Sequence, residues 1–239
     1  MKVKTLIIIP TLNESKNIKI LITKLNILYK KIDILVVDDN SIDGTLNIIH
    51  QIKKRKKNIK VICRKKARGI GSAHLHGINY AYKKKYKICI TMDADGTHNP
   101  VNIRKMLKII NTKKFDIINT NRFITKESLQ DWPLVRKTIT YSRYYLVKFI
   151  LNTNYDSSGG FRCYNLKNIK KKHFWLTKNI NYFFLIESLF LFEKLNYKIF
   201  EISNKLKFRS ANKSKMKISH IIESLWCLIK LRFARSKIY

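Results

Sequence analysis

The chain has 239 residues, 45% of them apolar, and carries fifty Lys plus Arg against fifteen Asp plus Glu, a formal charge of +35. It is long and apolar enough for one large α/β domain, which excludes a disordered polypeptide. The charge suits nucleic acid, acidic lipid or phosphorylated substrates, or is solvated surface in a sequence rich in Lys, Ile and Asn; by itself it does not choose.

From the N-terminus, short β-rich runs alternate with helical patterns. "TLIIIP" from Thr5 reads as a strand covered on both faces, since such strands are continuous apolar runs. Ser15 to Leu28 reads as a helix with Ile18, Leu21, Ile22, Leu25 and Leu28 on one face. "DILVVDD", "TLNIIHQI", "IKVIC", "AHLHGINYAY", "KICITMDAD" and Val101 to Ile110 continue the pattern. That order predicts a mostly parallel sheet wrapped by crossover helices, an α/β fold. Helix starts are marked by Ser15, by Asp43 and Thr45, and by Asn99 before Pro100. After "FDIINT" (Phe115 to Thr120) the alternation loosens, and no repeat or linker marks a boundary. One domain is expected, with a second half that completes the site.

The longest apolar stretch, "INYFFLIESLFLF" from Ile180 to Phe192, contains Glu187 and is shorter than the ~20 residues a spanning helix needs, so no transmembrane helix is expected. No leader pattern opens the chain, because polar residues follow "LIIIP" after one strand's length. Cys63, Cys89, Cys163 and Cys227 lie far apart without a CxxC pair, which predicts neither a zinc site nor a disulfide framework and fits a reducing cytosol.

Open sheets of this type bind ligands beyond the carboxyl ends of their strands, where strand order reverses. Glu14 follows the first strand, Asp38 and Asp39 end the second, and Asp93 and Asp95 end the one that starts near Lys87. Three strands thus deliver scarce carboxylates to one rim. Residues two apart on an extended segment face the same side, about 6–7 Å apart. Asp93 and Asp95 in "MDADGTHNP" therefore repel each other unless a divalent cation relieves them, and oxygen donors suit Mg²⁺ or Mn²⁺. The alternative, capping the helix near Pro100, is better served by Thr97 and Asn99.

In "VVDDNSIDGT", Asp43, Gly44 and Thr45 read as turn and cap, whereas a turn does not need both Asp38 and Asp39; a carboxylate there can accept hydrogen bonds from a nucleotide base or ribose. "RGIGSAHLHG" lacks the third glycine of a dinucleotide fingerprint, so Gly69 and Gly71 are read as turn glycines passing close to a ligand. His74, His76 and His98 show no metal-ligand spacing and read as surface or packing residues. "DSSGGFRCY" and "FRSANKSKM" combine small residues with fixed positive charge, either as ordinary loops or as phosphate contacts.

Taken together, "IPTLNE", "VVDDNSIDGT", "RGIGSAHLHG", "MDADGTHNP", "DSSGGFRCY" and "FRSANKSKM" resemble, in order and spacing, the family 2 glycosyltransferases, and within them the dolichol-phosphate mannosyltransferases and their bacterial polyprenyl-phosphate relatives. The resemblance spans about Thr5 to Met216 and implies a GT-A nucleotide-sugar-binding fold over residues 1–216. It implies that Pro10, Thr11, Glu14 and Asp39 hold the nucleoside, and that Asp93 and Asp95 bind Mg²⁺ or Mn²⁺ and the donor diphosphate. Arg122 and Arg136 correspond to the family's phosphate-binding arginines, and Arg209 and Lys215 to its late basic pair; Asp95 and Arg122 are the implied catalytic residues. The implied reaction is metal-dependent, inverting transfer of mannose from GDP-mannose, the nucleotide-sugar donor, to a polyprenyl-phosphate acceptor.

A UDP-sugar donor with a different acceptor is the alternative. A non-enzymatic basic module is more remote, because no nucleic-acid-binding motif is present and rim carboxylates repel a phosphate backbone; nucleic acid is not an expected partner. A lipid acceptor requires membrane access. From Lys217 to Phe233, Ile218, Ile221, Ile222, Leu225, Leu228, Ile229 and Phe233 form one apolar face with Trp226 at its edge, flanked by Lys230, Arg232 and Arg235. Residues 217–239 are thus expected either to lie in the interface of an anionic leaflet or to pack on the domain. The implied location is the cytoplasm, peripheral to the cytoplasmic face of a membrane, with a membrane subunit as a further partner.

Overall fold

The computed structural model describes residues 3–66, 69–206 and 218–233, with the side chains of Lys126 and residues 218–223 outside that description. In chain order the elements are β1 (Thr5–Thr11), α1 (Ser15–Leu28), β2 (Asp33–Asp38), α2 (Thr45–Arg55), β3 (Ile59–Cys63), α3 (Ile70–Lys83), β4 (Ile88–Thr91), α4 (Asn102–Ile110) and β5 (Ile117–Asn121). A 3-10 turn (Lys126–Leu129), α5 (Leu134–Leu151), β6 (Arg162–Asn165), α6 (Lys171–Phe174), α7 (Phe184–Lys194), β7 (Ile199–Ser203) and α8 (Ile218–Phe233) follow.

Side-chain alternation along β1 explains the layers. Ile7 and Ile9 enter a core shared with α1, α2 and α4, while Leu6 and Ile8 enter one shared with α3, α6 and α7. All four are fully buried, and each contributes about 1.5–3 kcal/mol relative to an exposed side chain. The sheet order among the described residues is β3-β2-β1-β4-β6-β5-β7, parallel throughout except for β6, which runs antiparallel to β4 and β5. The expected mostly parallel sheet is therefore present, with one inserted strand of opposite sense.

Two features of this topology build the site. β1 pairs with β2 on one side and β4 on the other, so strand order reverses there and the connecting loops diverge to leave a crevice. Because β6 is antiparallel, the loop before it arrives at the same rim as the loops after β4 and β5. The register places Arg162 beside Thr91 and Asn119, which brings residues 156–161 to that rim.

Helix starts differ from the expected caps. Asp43 accepts from Ser15 N through Oδ2 (2.9 Å) and from Thr45 N and Oγ1 through Oδ1 (3.1 and 2.5 Å), tying α1 and α2 together at their N-termini. Burial opposes its charge, but the bonds from Thr45 and Ser15 prevail and lower its pKa to about 2. Asn99 accepts from Val101 N in a turn, and α4 begins only at Asn102. The strand expected to reach Asp95 ends at Thr91. Burial nevertheless keeps alternating beyond it: Met92 and Ala94 are buried while Asp93 and Asp95 are half-exposed.

The α8 helix forms as expected and packs on the domain, where Leu228 and Leu231 join Val147 and Leu151 of α5 and Phe183, Ile186 and Phe190. The expected single apolar face is split: Leu225, Trp226, Ile229 and Phe233 remain exposed, because the buried stripe runs through 227, 228 and 231. Among the described residues no helix is long and apolar enough to cross a membrane, and the apolar run ending at Phe192 forms the buried α7. All four cysteines are free thiols.

Candidate active site

A cavity of about 490 Å³ opens at the carboxyl ends of β1, β2 and β4. Its lining brings together Pro10, Thr11, Glu14, Asp39, Asp93, Asp95, Arg122 and Arg136. Every expected site residue that the structure describes therefore meets in one cavity. Arg209 and Lys215 lie outside the described residues.

Each carboxylate on the rim has its own support. Glu14 precedes α1; its backbone N–H donates to Thr45 Oγ1 (2.9 Å), and its Oε2 accepts from Asn17 Nδ2 (3.0 Å). Asp39 is buried and paired with Arg64, whose guanidinium also donates to Ser72 Oγ (2.6 Å) and to Gly69 O (3.2 Å). Asp38, considered for ligand binding, is instead a turn residue. Fully buried, it accepts from Thr11 Oγ1, Ser41 N and Ser41 Oγ at 2.6–2.9 Å.

Asp95 Oδ1 accepts from Thr97 N and Oγ1 (3.0 and 2.6 Å), a local turn completed by Gly96 at φ +77°. Asp93 is steered by His98. The Asp93 N–H donates to His98 Nδ1 (3.2 Å), which leaves the neutral ring's proton on Nε2, 3.7 Å from Asp93 Oδ2. Stacking on Phe161, with centroids 5.0 Å apart, fixes the ring. Among the described residues no group of three His, Cys, Asp or Glu forms a metal cage. Two carboxylates on a cavity nonetheless fit Mg²⁺ or Mn²⁺, because such ions commonly take one or two protein carboxylates and fill the rest with water and substrate phosphate. The backbone makes room there as well: a Cβ added at Gly160 would stand 3.0 Å from Asp93 Oδ1.

The cavity also has a cationic lining, made by Arg122, Arg136 and Arg143. Arg122 follows β5 and is held by Asp156, whose Oδ2 accepts from Arg122 Nε (2.8 Å) and N (3.2 Å). The other oxygen of Asp156 accepts from Ser158 N and Oγ (3.2 and 2.8 Å). Burial works against this carboxylate, but the Arg122 charge and the Ser158 hydroxyl lead the interactions that hold its pKa below the usual range. Arg136 stacks over Trp132, 4.9 Å from the ring centroid. Gly159 precedes Gly160, and a Cβ at Gly159 would come 3.2 Å from Arg122 Nη2.

Other expectations are corrected. Arg162, in the loop considered for phosphate contact, is fully buried and donates to Ser157 O, Leu185 O, Asn119 Oδ1 and Ser188 Oγ at 2.7–3.1 Å. It pins the rim loop to α7. Gly69 borders the cavity at φ +88°, and both it and Gly71 let the chain approach residues 180–184 closely: a Cβ at Gly71 would stand 2.4 Å from Phe184 Cβ. His76 is exposed, as expected for a surface residue. His74 is buried against Phe184, and burial, with the charges of Arg162 and His98, lowers its pKa to about 3.

Sequence reasoning missed Arg64, His98, Asp156 and Arg143 as parts of this site. A signal existed for Arg143, which stands seven residues after Arg136 and hence two turns along the same helix face. Asp156 opens a quoted motif, but its partner Arg122 lies 34 residues away. No local pattern reports that pairing.

A switch-point crevice lined by carboxylates and arginines, on a mostly parallel sheet flanked by helices, fits the GT-A class of sugar-transferring enzymes. The sequence pattern of Glycosyl transferase family 2 matches residues 6–194, and the chain belongs to that family, as a glycosyltransferase. It is 26% identical over 225 residues to a polyprenol monophosphomannose synthase of Mycolicibacterium smegmatis, covering 93% of this chain and 84% of that one. It is 27% identical over 214 residues to an undecaprenyl-phosphate mannosyltransferase of Micrococcus luteus, covering 89% and 87%. The fold is shared with glucosyl-3-phosphoglycerate synthase of Mycobacterium tuberculosis in complex with UDP: TM-score 0.66 and 16% identity over 99% of this chain and 81% of that one. A complex of that enzyme with Mn²⁺, UDP and phosphoglyceric acid superposes with a TM-score of 0.62 at 16% identity, over 99% and 79%.

Proposed function

We propose that this chain transfers mannose from GDP-mannose to the phosphate of a polyprenol, with inversion at the anomeric carbon, while resting on a membrane surface. The observation that carries the proposal is one cavity lined both by Asp93 and Asp95 and by Arg122, Arg136 and Arg143. The two mannosyl-transferring relatives, matched along most of their length, support the choice of sugar and acceptor.

In this mechanism Pro10, Thr11, Glu14 and Asp39 bind the nucleoside, and the donor diphosphate lies toward Asp93 and Asp95. Asp93 and Asp95 would hold a divalent cation, which when bound would supply charge neutralisation for the leaving nucleoside diphosphate. Arg122 and Arg136 hold phosphate oxygens by charge-assisted bonds. An acceptor phosphate oxygen forms the new bond to the anomeric carbon as the old bond to the diphosphate breaks, its electron pair leaving with the diphosphate. A phosphate monoester is already anionic near neutral pH, so the chain needs no general base for this step. Catalysis rests on placing reactants and on fixed charge aimed at the departing group.

Membrane access fits the exposed apolar side chains on α5 and α8, among them Val135, Ile139, Phe149, Trp226 and Phe233. Lys148 and Arg232 border the hollow of about 840 Å³ between these helices, and Lys230 lies over the Trp226 ring. Apolar groups ringed by cations suit an anionic leaflet.

The test is incubation with radiolabelled GDP-mannose or UDP-glucose and polyprenyl phosphate, with and without Mn²⁺, followed by organic extraction. Mannose label enters the organic phase only when lipid and metal are both present, and Asp95→Asn abolishes it in a folded protein. Label from UDP-glucose alone, or full transfer by Asp95→Asn, refutes the assignment.

A further inference from the structure

Arg143 stands apart from the site residues named so far. The α5 helix carries Arg136 and Arg143 two turns apart, and both line the cavity. Of the five N–H donors on a guanidinium, Arg143 uses one among the described residues, from Nη2 to Ser158 Oγ at 3.3 Å. Ser158 in turn donates to Asp156 Oδ1 (2.8 Å), so Arg143 reaches that carboxylate only through a hydroxyl. Asp156 is already paired directly with Arg122. Asp156 thus offsets the Arg122 guanidinium directly, and Arg143 lines the cavity with donors to spare.

A partly buried cation beside another cation is costly unless an anion joins it. Burial and the Arg122 charge lower the Arg143 pKa to about 10, against the pull of Asp156; the group remains charged at neutral pH. A tetrahedral phosphate monoester meets the requirement, since its oxygens accept from planar guanidinium forks on more than one side. The placement on α5 selects the acceptor over the donor. On the same helix Tyr145 and Phe149 are exposed and line the hollow against α8, whereas the donor's expected contacts are Pro10, Thr11, Glu14 and Asp39 and the paired aspartates after β4.

We propose that Arg143, held by Ser158, grips the phosphate of the acceptor and makes the cationic lining of the cavity a phosphate-monoester site. This rests on the assignment of a polyprenyl phosphate as acceptor, and it adds a residue to those the family resemblance implies.

The experiment measures binding of farnesyl phosphate, a soluble isoprenyl phosphate, to the full chain by calorimetry, and in parallel binding of GDP with Mn²⁺. Arg143→Gln keeps length and polarity but removes the charge; it weakens farnesyl phosphate by about 10- to 100-fold, as expected for loss of a charged hydrogen-bonding group, and leaves GDP unchanged. Arg143→Lys recovers part of the loss. Ser158→Ala, which removes the positioning bond and spares the charge, weakens farnesyl phosphate by a smaller factor and reports on the site even if Arg143→Gln fails to fold. The inference is overturned if Arg143→Gln binds farnesyl phosphate as the wild type does, if GDP weakens by the same factor, or if the wild type binds no farnesyl phosphate. Arg143-dependent farnesyl phosphate binding in a protein that transfers no sugar to polyprenyl phosphate sinks the proposed reaction and leaves the phosphate site standing.

Discussion

Replacing Asp156 by Asn tests the charge architecture of the rim. The carboxylate is buried and accepts four hydrogen bonds, two from Arg122 and two from Ser158. An amide offers one oxygen in place of two. With that oxygen toward Arg122, the amide nitrogen faces Ser158, whose hydroxyl can turn to accept but whose backbone N–H cannot. One buried donor left unmade costs about 1–3 kcal/mol, and breaking a buried ion pair costs about 3–5 kcal/mol. These overlap, so about 3–5 kcal/mol is expected, a large share of the roughly 5–15 kcal/mol that stabilises a typical domain.

Urea denaturation followed by circular dichroism measures the loss. The sign with pH is fixed. The folded pKa of Asp156 is lowered, so its stabilisation is fully present above the ordinary carboxylate value near 4 and is lost as pH falls through the lowered one. The gap between wild type and Asp156→Asn is therefore widest at neutral pH and closes in acid. A destabilisation below about 1 kcal/mol at pH 7 would refute the paired, buried geometry, as would a gap that stays constant into acid.

Gly71→Ala places a Cβ 2.4 Å from Phe184 Cβ and 2.9 Å from Ile180 O; separating α3 from α7 is expected to cost about 1–3 kcal/mol, and an unchanged melting temperature would contradict the packing. Gly160→Ala pushes a methyl to 3.0 Å from Asp93 Oδ1. Mn²⁺ affinity, read by electron paramagnetic resonance, should fall about tenfold with the fold intact, and an unaltered affinity counts against Asp93 as a ligand. Changing Phe149 and Phe233 together to Asp should weaken flotation with anionic vesicles at least about tenfold, since burying each ring in lipid is worth roughly 1.5–3 kcal/mol, while melting stays put. Undiminished flotation would place the membrane contact elsewhere.

The first half of the fold was legible because its strands are buried on both faces and follow local helices, so "LIIIP" and "ILVVD" announce themselves without their partners. The acids after β1, β2 and β4 were legible for the same reason: once parallel order is inferred, the strand ends share a rim. Burial alternation carried Asp93 and Asp95 toward the cavity even though the strand stops at Thr91. What residue types alone left open was assignment within a motif. Asp38 and Asp39 are adjacent and chemically identical, yet one closes a turn on Ser41 and the other meets Arg64. Arg162 fitted a phosphate contact by composition and is locked in the core.

The sequence by itself determined the parallel order and the carboxylate rim, because local periodicity and spacing along the chain encode them, and its motifs carried the resemblance to the family. Only the tertiary structure decided that Arg143 joins Arg122 and Arg136 at the cavity and that Arg162 does not. That choice depends on β6 entering antiparallel between β4 and β5, which brings Asp156 to Arg122 and Ser158 to Arg143 while burying Arg162. Pairings across such sequence distances are set by packing and desolvation of whole layers, and one-dimensional order carries no term for them.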